Sequence, residues 1–199
     1  MRERAILTLD IASTMGWAYG EPGAVPRAGT VRFAPPASAN GVVGCGAMRW
    51  LSDFMKLNRV GAVYYEAPFD PRVMGNKTNF KTTRMLVGLP FLFDTLFEAK
   101  GILRVREVTV ADARKHFLGR GVKGDEGKKL VQARCRQLGW SFDSPDAADA
   151  LAVWSFACTA EEPKTGVATT PLFQPRAGAR PVADDLPPFA YDEIEDIPQ

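Results

Sequence analysis

The stretch Ser144-Pro145-Asp146-Ala147-Ala148-Asp149-Ala150-Leu151-Ala152 sets two carboxylates three residues apart at the opening of an alanine-rich run. Ser144 fits a helix N-cap and Pro145 the first helical position, so the run predicts a helix over about 145–159. A spacing of three places Asp146 and Asp149 on one helix face. Asp146 also has an ordinary use, because the helix dipole favours an acid in the first turn. Asp149 has less excuse. It is followed by Ala150, Leu151, Ala152 and Val153, and a bare carboxylate buried among such residues is costly.

Two further acids sit in equally apolar surroundings. Asp10 falls within Ala5-Ile6-Leu7-Thr8-Leu9-Asp10-Ile11, and Glu66 ends Ala62-Val63-Tyr64-Tyr65-Glu66. Both runs read as buried strands. Taken singly, Asp10 can cap the turn through Ser13 and Thr14, and Glu66 can be an acid at a strand end. Taken together, four carboxylates on rigid elements suit divalent metal ions. Mg²⁺ prefers oxygen ligands, and two such ions can stabilise the attacking and leaving oxygens of a phosphoryl displacement.

Between these acids the order of elements is legible. Residues 14–19 and 29–33 read as strands on either side of the turn Gly20-Glu21-Pro22-Gly23, giving a three-stranded antiparallel start. A Pro/Ala/Ser/Gly stretch from Pro35 to about Gly46 reads as a loop. Met48, Leu51, Phe54 and Met55 then recur at helical spacing. The strand at 60–66 follows a helix and is expected parallel to the first. Residues 80–99 predict a helix with Leu86, Leu89, Phe93, Leu96 and Phe97 on one face, kinked or broken at Pro90. A strand over 103–110, a helix over 111–118 with Thr109 as candidate N-cap, a basic glycine-punctuated loop over 119–124 and a helix over about 125–138 complete the set. The fold class is α/β, a mixed sheet flanked by helices.

From residue 161 the composition changes. Seven of the 15 prolines lie there and the apolar periodicity stops, so 161–199 is expected to be an extended or disordered acidic tail behind a domain at 1–160. The tail holds three basic and eight acidic residues, net −5, and the rest 22 basic and 15 acidic, net +7. A basic body suits a polyanion partner. Cys45, Cys135 and Cys158 are far apart and odd in number, so they form neither a disulfide framework nor a zinc motif. His116 is the sole histidine, which leaves a catalytic triad or multi-histidine zinc site poorly supplied. No apolar run is long enough to span a membrane and no signal peptide is evident, so a cytoplasmic protein is expected.

In these motifs the chain resembles RuvC-type Holliday junction resolvases (crossover junction endodeoxyribonucleases) of the ribonuclease H-like superfamily. Ile6-Leu7-Thr8-Leu9-Asp10-Ile11-Ala12-Ser13-Thr14-Met15-Gly16-Trp17-Ala18 is similar to that family's first-strand motif. Glu66 stands at its second acid, and Asp146-Ala147-Ala148-Asp149-Ala150-Leu151-Ala152 matches its two-acid helix. The likeness covers roughly residues 5–159. It implies a five-stranded mixed sheet, hydrolytic nicking of four-way DNA junctions that leaves 5′-phosphate and 3′-hydroxyl ends, and a homodimer with two active sites. It also implies two Mg²⁺ ions per site, replaceable by Mn²⁺, with Asp10 bridging and Glu66, Asp146 and Asp149 completing the shell. The setting implied is the bacterial nucleoid or a phage-infected host. Lys115 and Lys128 match the family's lysines ahead of the last acids, with Lys129 as the alternative register to Lys128. Phe69, or Phe80, matches an aromatic that meets DNA at the junction. The stiff Pro68-Phe69-Asp70-Pro71 and the long tail depart from the family pattern.

Basic residues recur around those positions. Arg72, Lys77, Lys81 and Arg84 alternate with Asn76, Thr78, Asn79 and Phe80, while Arg114, Lys115, Arg120, Lys123, Lys128 and Lys129 form a second group. Phosphate neutralisation by the cations and stacking of a base on Phe69 or Phe80 would make these a DNA surface. The acidic tail could recruit a repair or replication partner, fold over this basic surface, or serve only solubility. Two other classes share parts of the pattern. One is an actin-like ATPase domain, for which the chain is too short to hold both usual domains. The other is a catalytically weak DNA-binding or scaffold protein of the same fold.

Overall fold

The computed structural model describes residues 5–67 and 80–163. Among the described residues five strands and five helices follow one another. They are β1 (Ile6–Asp10), β2 (Thr14–Gly20), β3 (Arg27–Arg32), α1 (Asn40–Leu57), β4 (Ala62–Glu66), α2 (Phe80–Ala99), β5 (Val105–Val108), α3 (Val110–Leu118), α4 (Gly124–Gln137) and α5 (Pro145–Glu161). The strands form one sheet in the order β3-β2-β1-β4-β5. β1, β2 and β3 pair antiparallel, and β4 joins β1 and β5 in parallel. This is the mixed sheet expected, and α1 is the crossover that makes β4 parallel to β1.

Side-chain alternation along β1 separates two cores. Leu7 and Leu9 join Met15, Trp17, Val63 and Tyr65 under α1 and α2. Ile6 joins Ala18, Ala62 and Tyr64 under α3, α4 and α5. α5 is buried along Ala147–Ser155, sandwiched between the sheet and helices α3 and α4. A helix so enclosed has no polar face, which is why its sequence is alanine-rich on all sides.

Two expectations from sequence are corrected. Helix α1 begins at Asn40, inside the stretch read as a loop, and runs through Gly41, Gly44 and Gly46. Gly46 is there for close packing: a Cβ on it would lie 2.0 Å from the Phe33 carbonyl oxygen. The buried face is Val43, Ala47, Trp50, Leu51 and Phe54, while Met48 is exposed. Of the kink or break expected at Pro90, the break does not occur: α2 continues to Ala99 with Leu89, Pro90, Phe93 and Phe97 buried. A proline inside a helix costs about 3 kcal/mol. Burying each large apolar side chain returns about 1.5–3 kcal/mol, so this face outweighs it.

Candidate metal and nucleic-acid site

Strand alternation decides where two of the acids lie. Ile6, Thr8 and Asp10 share one face of β1, and Ala62, Tyr64 and Glu66 share one face of β4. Ile6, Ala62 and Tyr64 belong to the α5-side core. In the parallel ladder Leu9 is level with Tyr65, so Asp10 and Glu66 follow side by side where both strands end. They therefore emerge beneath the helix that carries the other two acids.

The start of α5 is fixed there by several independent contacts. Ser144 Oγ accepts from the Ala147 amide at 3.0 Å, and Pro145 opens the helix, as the sequence predicts. Thr30 on β3 binds Asp143 through its amide (3.0 Å) and its hydroxyl (2.7 Å), and also meets the Ser144 hydroxyl. Thr8 on β1 donates to the Ala150 carbonyl at 2.8 Å. Gly16, opposite Asp10 in the β1–β2 ladder, lets the helix approach: a Cβ on it would lie 2.1 Å from the Asp146 carbonyl oxygen. The glycine of the first motif and the acids of the last are thus one packing contact.

The four carboxylates share one electrostatic field. Burial, then repulsion by Glu66, Asp146 and Asp149, pushes Asp10 up to about 7, with Lys128 opposing. Burial and then Asp149 push Glu66 up to about 7, against Arg114 and Lys128. Burial also raises Asp149, which Arg114 and Lys128 pull back. Acids forced this close bind protons or cations to relieve their repulsion.

Two cations are already present. The Arg114 guanidinium lies 3.3 Å from both Asp149 carboxylate oxygens, and both side chains are almost fully buried. Gly127 leaves room for it, since a Cβ there would lie 3.0 Å from Arg114 Nη1. Its Nε is buried with no hydrogen-bond partner among the described residues. Lys128 Nζ stands 3.8 Å from Asp146 and 3.9 Å from Asp149.

Of the residues singled out from sequence, Asp10, Glu66, Asp146, Asp149 and Lys128 come together. Lys129 is exposed and makes no ion pair among the described residues. Lys115 is exposed on α3, and its neighbour Arg114 is the residue turned towards the acids. From the sequence alone Arg114 is one member of the second basic group. Its signal was spacing: Ala113, Arg114 and Phe117 form the buried stripe of α3, and a cation on such a stripe needs a buried acid. Arg120, Lys123, Lys81 and Arg84 are exposed, as is Phe80. Phe69, Arg72, Lys77 and Asn79 lie outside the described residues, as does the tail beyond 163.

The donor set is all carboxylate, which fits a hard divalent cation. Among the described residues no three acids, histidines or cysteines are already gathered around one ion position. Mg²⁺ does not require such a cage, because it commonly keeps waters and binds one or two carboxylates together with substrate phosphates. Among the described residues no helix is long and apolar enough to cross a membrane.

No family model and no curated protein matches the chain. Solved structures do. RuvC of T. thermophilus in complex with Holliday junction substrate is 18% identical with a TM-score of 0.60, over 84% of this chain and 98% of that one. A second structure of Thermus thermophilus RuvC is 20% identical with a TM-score of 0.50, over 79% and 95% of the two chains. Over most of its described length the chain shares the fold of these RuvC structures.

Proposed function

We propose that this chain is a divalent-metal-dependent endonuclease that nicks branched DNA, with the four-way junction as substrate. The observation that carries this is the convergence of Asp10, Glu66, Asp146 and Asp149, from three distant parts of the chain, at one end of a RuvC-like sheet. The likeness to a protein solved with a Holliday junction supports the substrate class.

Asp10, Glu66, Asp146 and Asp149 would hold the ions. When bound, Mg²⁺ or Mn²⁺ would supply Lewis acidity and neutralise charge on the scissile phosphate. The protein's own groups would do the rest. Arg114 would fix the Asp149 carboxylate. Lys128, part-exposed beside Asp146 and Asp149, could turn towards the phosphate and stabilise charge developing in the transition state. Exposed Arg120, Lys123, Lys129, Lys81 and Arg84 would neutralise flanking phosphates, and exposed Phe80 could stack on an unpaired base. Two copies would cut both strands of a junction.

Asp10→Asn and Asp149→Asn should each abolish Mg²⁺-dependent nicking of a synthetic four-way junction and retain junction binding. Undiminished cleavage by both variants would sink the proposal.

A further inference from the structure

The sequence separates its charges more sharply than the domain boundary does. Residues 1–180 hold 25 basic and 17 acidic residues, net +8. Residues 181–199 hold six acids and no base: Asp184, Asp185, Asp192, Glu193, Glu195 and Asp196. Among the described residues, exposed cations gather next to the acid cluster. Lys123 is the N-cap of α4, Lys128 and Lys129 follow within its first two turns, and Arg120 lies in the bend before it. Arg120, Lys123 and Lys129 make no ion pair with any described residue, and Lys128 is 45% exposed.

The fold also fixes where the intervening chain departs. α5 starts at the acid cluster and ends at Glu161, where Tyr64 donates to its carboxylate at 2.8 Å and Arg104 pairs with it at 2.6 Å. A helix of 17 residues is about 25 Å long. The 20 residues from 164 to 183 can span up to about 65 Å at some 3.3 Å each. The intervening chain is therefore long enough for the acidic block to reach the cationic face.

We infer that the block Asp184–Asp196 docks on the cationic face formed by Arg120, Lys123, Lys128 and Lys129 and competes there with nucleic-acid phosphate. The competition rests on the nucleic-acid reading above; the docking does not. Duplex DNA carries one charge per about 1.7 Å of axis, denser than six acids over 13 residues. Extended duplex arms would displace the block, while sparse or short polyanions would not. The block would thus raise the threshold for binding near the acids and sharpen the preference for a substrate that fills the whole face.

The test uses the full 199-residue chain and a variant with Asp184→Asn, Asp185→Asn, Asp192→Asn, Glu193→Gln, Glu195→Gln and Asp196→Asn. Backbone amide spectra without DNA should differ between the two at residues 120–129, equally at low and high protein concentration. Affinity for linear duplex at low salt should rise about tenfold in the variant, and the gain should fade as salt increases. Unchanged amides at 120–129, or unchanged duplex affinity where the wild type binds, would overturn the inference. Shifted amides with no DNA binding by either chain would uphold the docking and overturn the nucleic-acid reading.

Discussion

Asp149 meets a buried arginine rather than solvent, and that pair decides how the acid cluster is held. Removing one partner of a buried ion pair leaves an uncompensated charge and costs about 3–5 kcal/mol. Arg114→Met should therefore lower stability by about 3 kcal/mol in urea unfolding. In the Asp149→Asn background the same change should cost much less; equal losses in both backgrounds would show that the two side chains are not coupled. Asp10 and Glu66 give a pH-dependent effect. Both are raised in the folded chain to about 7, so folding favours their protonated forms. Wild-type stability should fall as pH rises from about 4, where such acids ionise in the unfolded chain, to about 7. Asp10→Asn and Glu66→Gln remove that loss. Each variant should match wild type near pH 4 and melt several degrees higher at pH 8, and a gap that ignores pH would contradict the raised values. At this scale sequence was informative where chemistry clashed with context: Asp10, Glu66 and Asp149 were carboxylates in apolar runs. Arg114 carried only the weaker signal of its place on the α3 stripe, because its partner is 35 residues away and its meaning depends on which α3 face is buried.

Elements were legible where their pattern was local. The Thr109 cap accepts from the Asp112 amide at 3.1 Å, and the Ser144–Pro145 start of α5 formed as read. The beginning of α1 was missed because glycines look like breakers until their neighbour is known, and Phe33 is that neighbour for Gly46. Gly16 is the sharper case. Its role is to admit the backbone of Asp146, a contact spanning 130 residues that no local pattern encodes. Gly16→Ala should push the start of α5 off β2, destabilise the fold by about 3 kcal/mol and displace Asp146 and Asp149 together. Chemical denaturation measures the first effect. Weakened stabilisation by Mn²⁺, read as a smaller rise in melting temperature, measures the second.

For the whole molecule, the sheet order and the two cores place the acids at one end of the sheet, with a row of exposed cations beside them. Binding driven by those cations should weaken steeply with salt, with log K falling linearly against log salt. Salt-independent binding would contradict a phosphate-led interface. Divalent ions should raise the melting temperature more at pH 8 than at pH 5, since they compete with protons for the same carboxylates. The most direct measurement is cleavage of a synthetic four-way DNA junction with and without Mg²⁺, beside a flap and a linear duplex of the same sequence. Paired nicks in the junction that require Mg²⁺, with the linear duplex left intact, are the expected result. No Mg²⁺-dependent cleavage of any of the three would contradict a nuclease built on Asp10, Glu66, Asp146 and Asp149.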